Sequence, residues 1–529
     1  MVYSARPQRS GRRLNKSSQS KVLIVSGILV LLVLVGVGLF VFLKPDKKQA
    51  VPNHLKFDSS VTETEKSQIT TSINDQNIKL DGDVTISAKS VLEAPNQKYI
   101  LSAYVPITGL YSSRQSIDTS DVSGGAISIS NDIEPTVLQS VATTISAQPT
   151  QKSSDVEPGS TDIVLIPASR ISPSQKLLGF NGSYYLDDLS KGGVFRVIEI
   201  SGAGKSALDN INVNILPNKD QLFKVNMTGV TALTRLMMRK LNNVRDPTYF
   251  SQKIGPFLAD ADLTHVSNEV SFQAGCQYHN TVFCSPPEFI KTLQDSGVDL
   301  VELTGNHNND TGSQYNTETI NKYHQLNIKT FGGGLNAEEA KKPYIADQKG
   351  SKITFLGYNY ADSPSGISIA TSERAGANSF DFDKVKTDIE SAKQQSQFVI
   401  VDIQFNECFA YPDGYVEFPE CNSPISGQQD VFRKVADLGA DMVIGTQAHQ
   451  PQIYEIYNNK PIYYGLGNMY FEQTQWPGTE RGIILTHYFH NGKLIQTKLT
   501  PTVYDQDLQA KQMTNEQSVK FFDYLNSSR

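Results

Sequence analysis

SPPEFIKTLQDSGVDLVELTGNHNND, residues 285–310, passes through three kinds of local chemistry in one short stretch. PPEFIKTLQDSG has the alternation of an amphipathic helix, VDLVELTG is an apolar strand-like run, and GNHNND is a dense polar loop. Asn and Asp are ordinary turn-formers after a strand, but a His between two Asn is less so. The loop is therefore either a polar turn or the lip of an active site, and the rest of the chain bears on which.

Further strand-like runs recur on both sides: LFKVNMTG (222–229), KITFLGYNY (352–360), FVIVDIQF (398–405), DMVIGTQ (441–447) and KPIYYGLGN (460–468). Helical stretches such as QQDVFRKVADLGA lie between several of them. Apolar strands alternating with amphipathic helices predict an α/β unit with largely parallel strands. Open α/β sheets place their ligand crevice at the carboxyl ends of such strands, where most of the polar clusters fall. From about 71 to 215 a smaller α/β domain is expected, with buried strands in KYILSAYVPIT (98–108) and TDIVLIPASRI (161–171) and an internal loop over 147–160. GAGKS at Gly202–Ser206 is not a phosphate-binding loop, because Glu199 stands where the first Gly is required.

Residues 1–21 carry six Lys or Arg and no acid, and Val22–Leu43 runs 22 residues without a charge. That length spans a bilayer. With no small-residue cleavage site after a short apolar core, an uncleaved single-pass anchor is expected. The positive-inside rule places the N-terminus in the cytoplasm and the bulk of the chain outside the cell membrane. Residues 44–70 read as a polar tether and 506–529 as a C-terminal tail. The formal charge of −6 gives no footprint for nucleic acid. Cys276 and Cys284, and Cys408 and Cys421, read as two loop-stapling disulfides of an exported chain. Neither spacing suits a four-Cys zinc site.

Four polar loops stand out: SNE (Ser267–Glu269), GNHNND (Gly305–Asp310), QFNE (Gln404–Glu407) and GTQAHQPQ (Gly445–Gln452). His, carboxylate and carboxamide groups gathered from separate strand ends suit a metal-assisted phosphoryl or amide hydrolase. The metal would acidify a bound water and a nearby His protonate the leaving group.

From about 220 to 505 the chain resembles the CapA family of poly-γ-glutamate capsule proteins. The resemblance is carried by SNE, by SPPEFIKTLQDSGVDLVELTGNHNND, by KITFLGYNY and by GADMVIGTQAHQPQIYEIYNNKPIYYGLGNMYFEQ (439–473). It implies a metallophosphatase-like sandwich of two sheets flanked by helices, exported and membrane-attached. Residues 71–215 look like half of a solute-binding domain. By the resemblance Asn306 is a metal-site Asn, His307 the general acid, and Asn268 and Glu269 belong to an Asn-Glu element. His449 is the last His of a His-rich loop. Arg235 binds an anionic substrate or is a surface Arg, and Glu407 and Asn468 complete the substrate side.

Three departures matter. Val230 replaces an expected ligand Asp, Gln404-Phe405-Asn406 replaces a His-Trp-Gly motif, and Thr446 and Gln447 replace histidines. Neutral amides are poor ligands for zinc-like ions. What remains would hold a divalent ion (Mn, Mg, Ca or Zn) through Glu269, Glu407, Asn306, Gln404 and His449, or hold none. Three functions follow: an enzyme processing an anionic envelope polymer or peptide, within an envelope synthesis complex; a binding or assembly protein that keeps the crevice and has lost the chemistry; or a solute receptor in which residues 71–215 and the second domain form a two-lobed clamp.

Overall fold

A computed structural model describes residues 52–529 apart from positions 53, 96, 124–126, 147–149, 212, 214–218 and 407–426. The chain divides into two compact units. Of the described residues, those up to Phe57 with Glu63–Thr85 and Ser201–Ile211 form one; those of 58–62, 86–200 and 212–529 form the other.

The larger unit contains the strands that the apolar runs predict. β1 (Leu222–Thr231), β2 (Leu263–Asn268), β3 (Leu300–Glu302) and β4 (Lys329–Phe331) pair in parallel in that order. β5 (Tyr344–Gln348), β6 (Ser351–Asn359), β7 (Phe398–Gln404), β8 (Met442–Gly445), β9 (Tyr454–Tyr457) and β10 (Lys460–Tyr463) form a second sheet, ordered β5-β6-β7-β8-β10-β9. β6, β7, β8 and β10 run parallel. The chain then returns to the first sheet, where β11 (Asn468–Tyr470) pairs with β1. β12 (Arg481–His490), β13 (Lys493–Val503) and β14 (Lys511–Gln512) extend that sheet antiparallel beyond β1.

The two sheets pack face to face. Val225, Met227, Leu263, Leu300 and Phe331 of the first meet Ile353, Phe355, Ile400, Met442 and Ile444 of the second, all buried. Alternate residues of the same strands face outward. Val266 and Val301 lie under α1 (Arg235–Val244), α2 (Ile290–Asp295) and α3 (Ser313–Gln325). Val399, Val401 and Val443 lie under α4 (Phe382–Lys393) and α5 (Gln428–Asp437). α4 starts where it does because the Asp381 carboxylate accepts from the Asp383 and Lys384 amides. The result is the expected two-sheet sandwich flanked by helices. Each large side chain buried in it contributes about 1.5–3 kcal/mol.

A further sheet precedes the sandwich in the same unit, ordered Val194–Ser201, Ile100–Gly109, Ile163–Pro167, Ile127–Ser130, Gln151–Lys152. The last of these strands lies inside the stretch expected to be a loop. One face packs under the helix Pro135–Thr144. The other buries Val105, Ile107 and Phe195 together with Leu222 and Tyr488 of the sandwich.

Two expectations are corrected. Residues 506–529 are not a tail: Asn515–Ser527 is a helix with a Thr514–Gln517 capping box, and its Phe521, Phe522 and Leu525 enter the core between the sheets. The tether over 44–70 ends early, since Leu55–Phe57 is a strand and a helix begins at Glu63 with Ile69 and Ile73 buried. In the smaller unit GAGKS is a turn that runs into the short 3-10 helix Lys205–Leu208. A Cβ on Gly204 would lie 2.4 Å from the Gly82 carbonyl oxygen, so its glycine serves backbone approach. The expected anchor, Val22–Leu43, lies outside the described residues. Among the described residues no helix is long and apolar enough to cross a membrane.

Candidate functional site

β1, β2 and β3 are parallel, as are β6, β7 and β8, so each group opens its polar loops at one end of its sheet. A side-chain chain of amides joins the two groups. Asn359 and Gln404 are ladder neighbours at the ends of β6 and β7. Asn359 Nδ2 donates to the Thr304 carbonyl at 2.8 Å and to Gln404 Oε1 at 3.0 Å. A carbonyl oxygen only accepts, which fixes the Asn359 amide and, through it, the Gln404 amide. Gln404 Nε2 is then the donor toward Asn306 Oδ1, at 3.0 Å, and toward Gln447 Oε1. An N–H2 group thus sits among oxygens that a cation would need for itself.

Beside this cluster a cavity of about 230 Å³ is lined by Arg235, Phe283, His307, His449, Phe471 and Trp476, among others. His307 Nδ1 is 2.7 Å from Asp310 Oδ2, which also accepts from the Phe283 amide at 2.8 Å. Its ring packs 4.4 Å from the Phe283 ring. His449 Nδ1 is 3.0 Å from Asn468 Oδ1. Because Asn468 Nδ2 donates to the Thr479 carbonyl, the oxygen faces His449, and the proton lies on Nδ1. The His449 ring lies 5.3 Å from Phe471, and Phe471 lies 6.1 Å from Phe283.

Arg235 stacks its guanidinium 5.0 Å from the Phe471 ring and 5.5 Å from that of Phe283. Its Nε is 3.4 Å from Glu472 Oε1, so the charge is paired inside the wall. Burial raises the Glu472 carboxyl; the Arg235 charge and two backbone amides pull the other way. Arg235 holds φ at +48°, a left-handed conformation that a non-glycine residue adopts at a cost. The disulfide Cys276–Cys284 closes the loop that brings Asn280, Thr281 and Phe283 to the cavity.

The sequence candidates therefore separate. His307, His449 and Arg235 share the cavity. Asn306 and Gln404 share the amide cluster. Asn468 orients His449. Asn268 is buried and donates to the Val270 carbonyl of its own turn at 2.7 Å. Glu269 is buried against Gly305, where a Cβ would lie 2.5 Å from the Glu269 Cα. Glu407, Cys408 and Cys421 lie outside the described residues.

The donor set does not fit a tight divalent-metal centre. Val230 is packed among Ala232, Val270, Phe283 and Phe471 where a carboxylate is expected. Gln404 presents N–H2 rather than oxygen. Among the described residues no three His, Cys, Asp or Glu side chains converge as ligands.

Beneath the loops lies a buried titratable group that motif reading passed over. His265 Nε2 is 3.1 Å from Asp402 Oδ2, both fully buried. Glu302 accepts from Ser267 Oγ at 2.5 Å and from the Thr304 amide at 2.9 Å. Burial, then the neighbouring Asp402, pushes the Glu302 carboxyl up to about 8. Burial also raises Asp402, against His265. The signal was available: VDLVEL and FVIVDIQF each set a carboxylate inside an apolar run.

The family profile described as "Bacterial capsule synthesis protein PGA_cap" matches residues 224–473. This segment belongs to that family. The chain is 23% identical over 268 residues to the capsule biosynthesis protein CapA of Bacillus anthracis, covering 49% of this chain and 62% of that relative. It is 25% identical over 214 residues to the PGA biosynthesis protein CapA of Bacillus subtilis, covering 40% and 53%. The chain thus spans somewhat over half the length of these capsule proteins. A phosphatase structure from Mycoplasma pneumoniae aligns with 54% of this chain and 94% of its own, at 13% identity and a TM-score of 0.32, too low to bear on the fold.

Proposed function

We propose that this PGA_cap protein is a membrane-anchored accessory protein of capsule or envelope polymer assembly, facing the outside of the cell. Its cavity holds an anionic, poly-γ-glutamate-like chain. The observation that carries this reading is that two imidazoles from loops 142 positions apart, His307 and His449, line one aromatic-walled cavity. Each is fixed in orientation through Nδ1. With Nδ1 of each ring set against an oxygen acceptor, an imidazole Nε2 accepts from a γ-amide N–H when the ring is neutral and donates to a carboxylate only when the ring is doubly protonated. Phe471 and Trp476 offer apolar surface to the methylenes between them. The capsule-protein relatives and the uncharged run at 22–43 support the setting.

Titration of γ-linked glutamate oligomers into the full chain tests it. His307→Ala and Trp476→Ala should each weaken binding about tenfold or more while leaving the thermal midpoint nearly unchanged. Undiminished binding by both variants would place the polymer elsewhere.

A second reading, polymer hydrolysis, is favoured by the Asp310–His307 pair. A carboxylate on Nδ1 holds an imidazole ready to give a proton to a leaving amine. The amide cluster carries no charge that would activate water. Gel analysis of polymer length after incubation separates the two: binding alone leaves the length distribution unchanged, while hydrolysis shortens it in wild type and not in His307→Ala.

A further inference from the structure

A second cavity, of about 190 Å³, shares no lining residue with the first. It lies where the amino-terminal sheet, β13 and the helix Asn515–Ser527 meet, lined by Gln175, Lys176, Lys498, Thr500, Gln512 and Asn515 among others. That volume is below the range of sites for drug-sized molecules, and suits a ligand of amino-acid size.

Lys176 sits on the short strand Gln175–Leu177, opposite Thr108. Its Nζ donates to the Ser112 carbonyl at 2.7 Å and stands 4.4 Å from the Phe522 ring. Among the described residues no carboxylate lies within ion-pair reach of it. Its neighbour Lys498 differs: that ammonium is held by Asp187 Oδ2 at 2.7 Å. Desolvation alone pushes the Lys176 amine down to about 7.

Two more groups point to a ligand. Gln175 Oε1 and Thr500 Oγ1 are buried without a hydrogen-bond partner, and both residues line the cavity. Gln175 and Thr500 are 5% and 7% exposed. Gln175 Nε2 donates to the Ser154 carbonyl at 2.5 Å, which fixes the amide so that its oxygen is the unpartnered atom. Buried acceptors in native proteins are almost always satisfied. The helix Asn515–Ser527 also begins at the cavity, adding partial positive charge from its N-terminal end.

We propose that this cavity binds a small carboxylate carrying an amine or hydroxyl group. The carboxylate pairs with Lys176 Nζ, and the N–H or O–H donates to Gln175 Oε1, with Thr500 free to donate or accept.

The test is calorimetric titration of the full chain, in detergent micelles, with L-serine, L-glutamate, L-malate and acetate at pH 6.5 and 8.5. At least one of the first three should bind, at least tenfold tighter at pH 6.5, where the amine carries its proton. Acetate, lacking the donor, should bind at least tenfold more weakly. Lys176→Met should weaken binding at least tenfold, whereas Lys176→Arg should keep binding and lose its pH dependence, because a guanidinium does not titrate in this range. Absence of binding by wild type to all three probes overturns the proposal. So does equal binding by acetate, or an unchanged pH dependence in Lys176→Arg.

Discussion

Gln404 is the residue on which the chemistry of the crevice turns, because both hydrogens of its amide point at acceptor oxygens of other loops. Gln404→Glu keeps the shape and reverses that polarity, setting a carboxylate against the Asn306 and Gln447 oxygens. The expected cost is about 2–4 kcal/mol at pH 8, shrinking as the pH falls and the carboxyl regains a proton. Urea midpoints at pH 8 and pH 5 measure it. Val230→Asp should be costly for a different reason. It places a charge among Val270, Phe283 and Phe471, at about 2–4 kcal/mol by the same measurement. The sequence carried much of this at the level of residue type. Gly305-Asn306-His307 announced itself by composition, and the amides that replace ligands could be read off directly. Which way an amide faces could not, because the Thr304 carbonyl that decides it belongs to the backbone. His265 and Asp402 were equally hidden, since their pairing crosses from one sheet to the other over 137 positions.

The strands were legible because apolar runs of four to eight residues bounded by Gly, Asn and Asp leave few alternatives. Their ends were less so. VDLVELTG predicts eight extended residues, yet β3 stops at Glu302, because Gly305 turns the chain against Glu269. KPIYYGLGN predicts one strand and yields two, β10 and β11, in different sheets. The break falls at Gly467, whose φ is +72° and whose carbonyl oxygen would lie 1.9 Å from a Cβ on Gly229. The helix Asn515–Ser527 was missed because its apolar residues face a core assembled from both sheets, which no local pattern reveals. Leu525→Ala should therefore behave as a core truncation, lowering stability by about 2–5 kcal/mol. A loss under 1 kcal/mol in chemical denaturation would mean that the helix is only loosely docked.

For the molecule as a whole, the buried groups between the sheets set a pH profile. Glu302 is raised from 4.5 to about 8, so the folded chain retains a proton that the unfolded chain has released. Its contribution is fully present below about 4.5 and is lost as the pH rises toward 8. His487 is lowered from 6.5 to about 3 by burial, with His265 the lesser cause, so its contribution is lost as the pH falls from 6.5 toward 3. Between 4.5 and 6.5 the two slopes oppose and cancel, which predicts a stability plateau there with a decline on either side. Asp402, raised from 3.8 by burial, loses its contribution as the pH climbs from that value and so tilts the plateau downward toward the alkaline side. Thermal midpoints from pH 3 to pH 9 should show this shape. Glu302→Gln should flatten the alkaline side, and His487→Leu the acid side.

The bond between Cys276 and Cys284 reaches further than its own loop. Because that loop carries Phe283, on which the His307 ring rests, the wall of the first cavity is held in shape by oxidised sulfur. A copy kept among thiol reductants would own a finished sandwich and an unfinished pocket. Oxidation of that one pair of sulfurs would then be the step that completes the pocket wall.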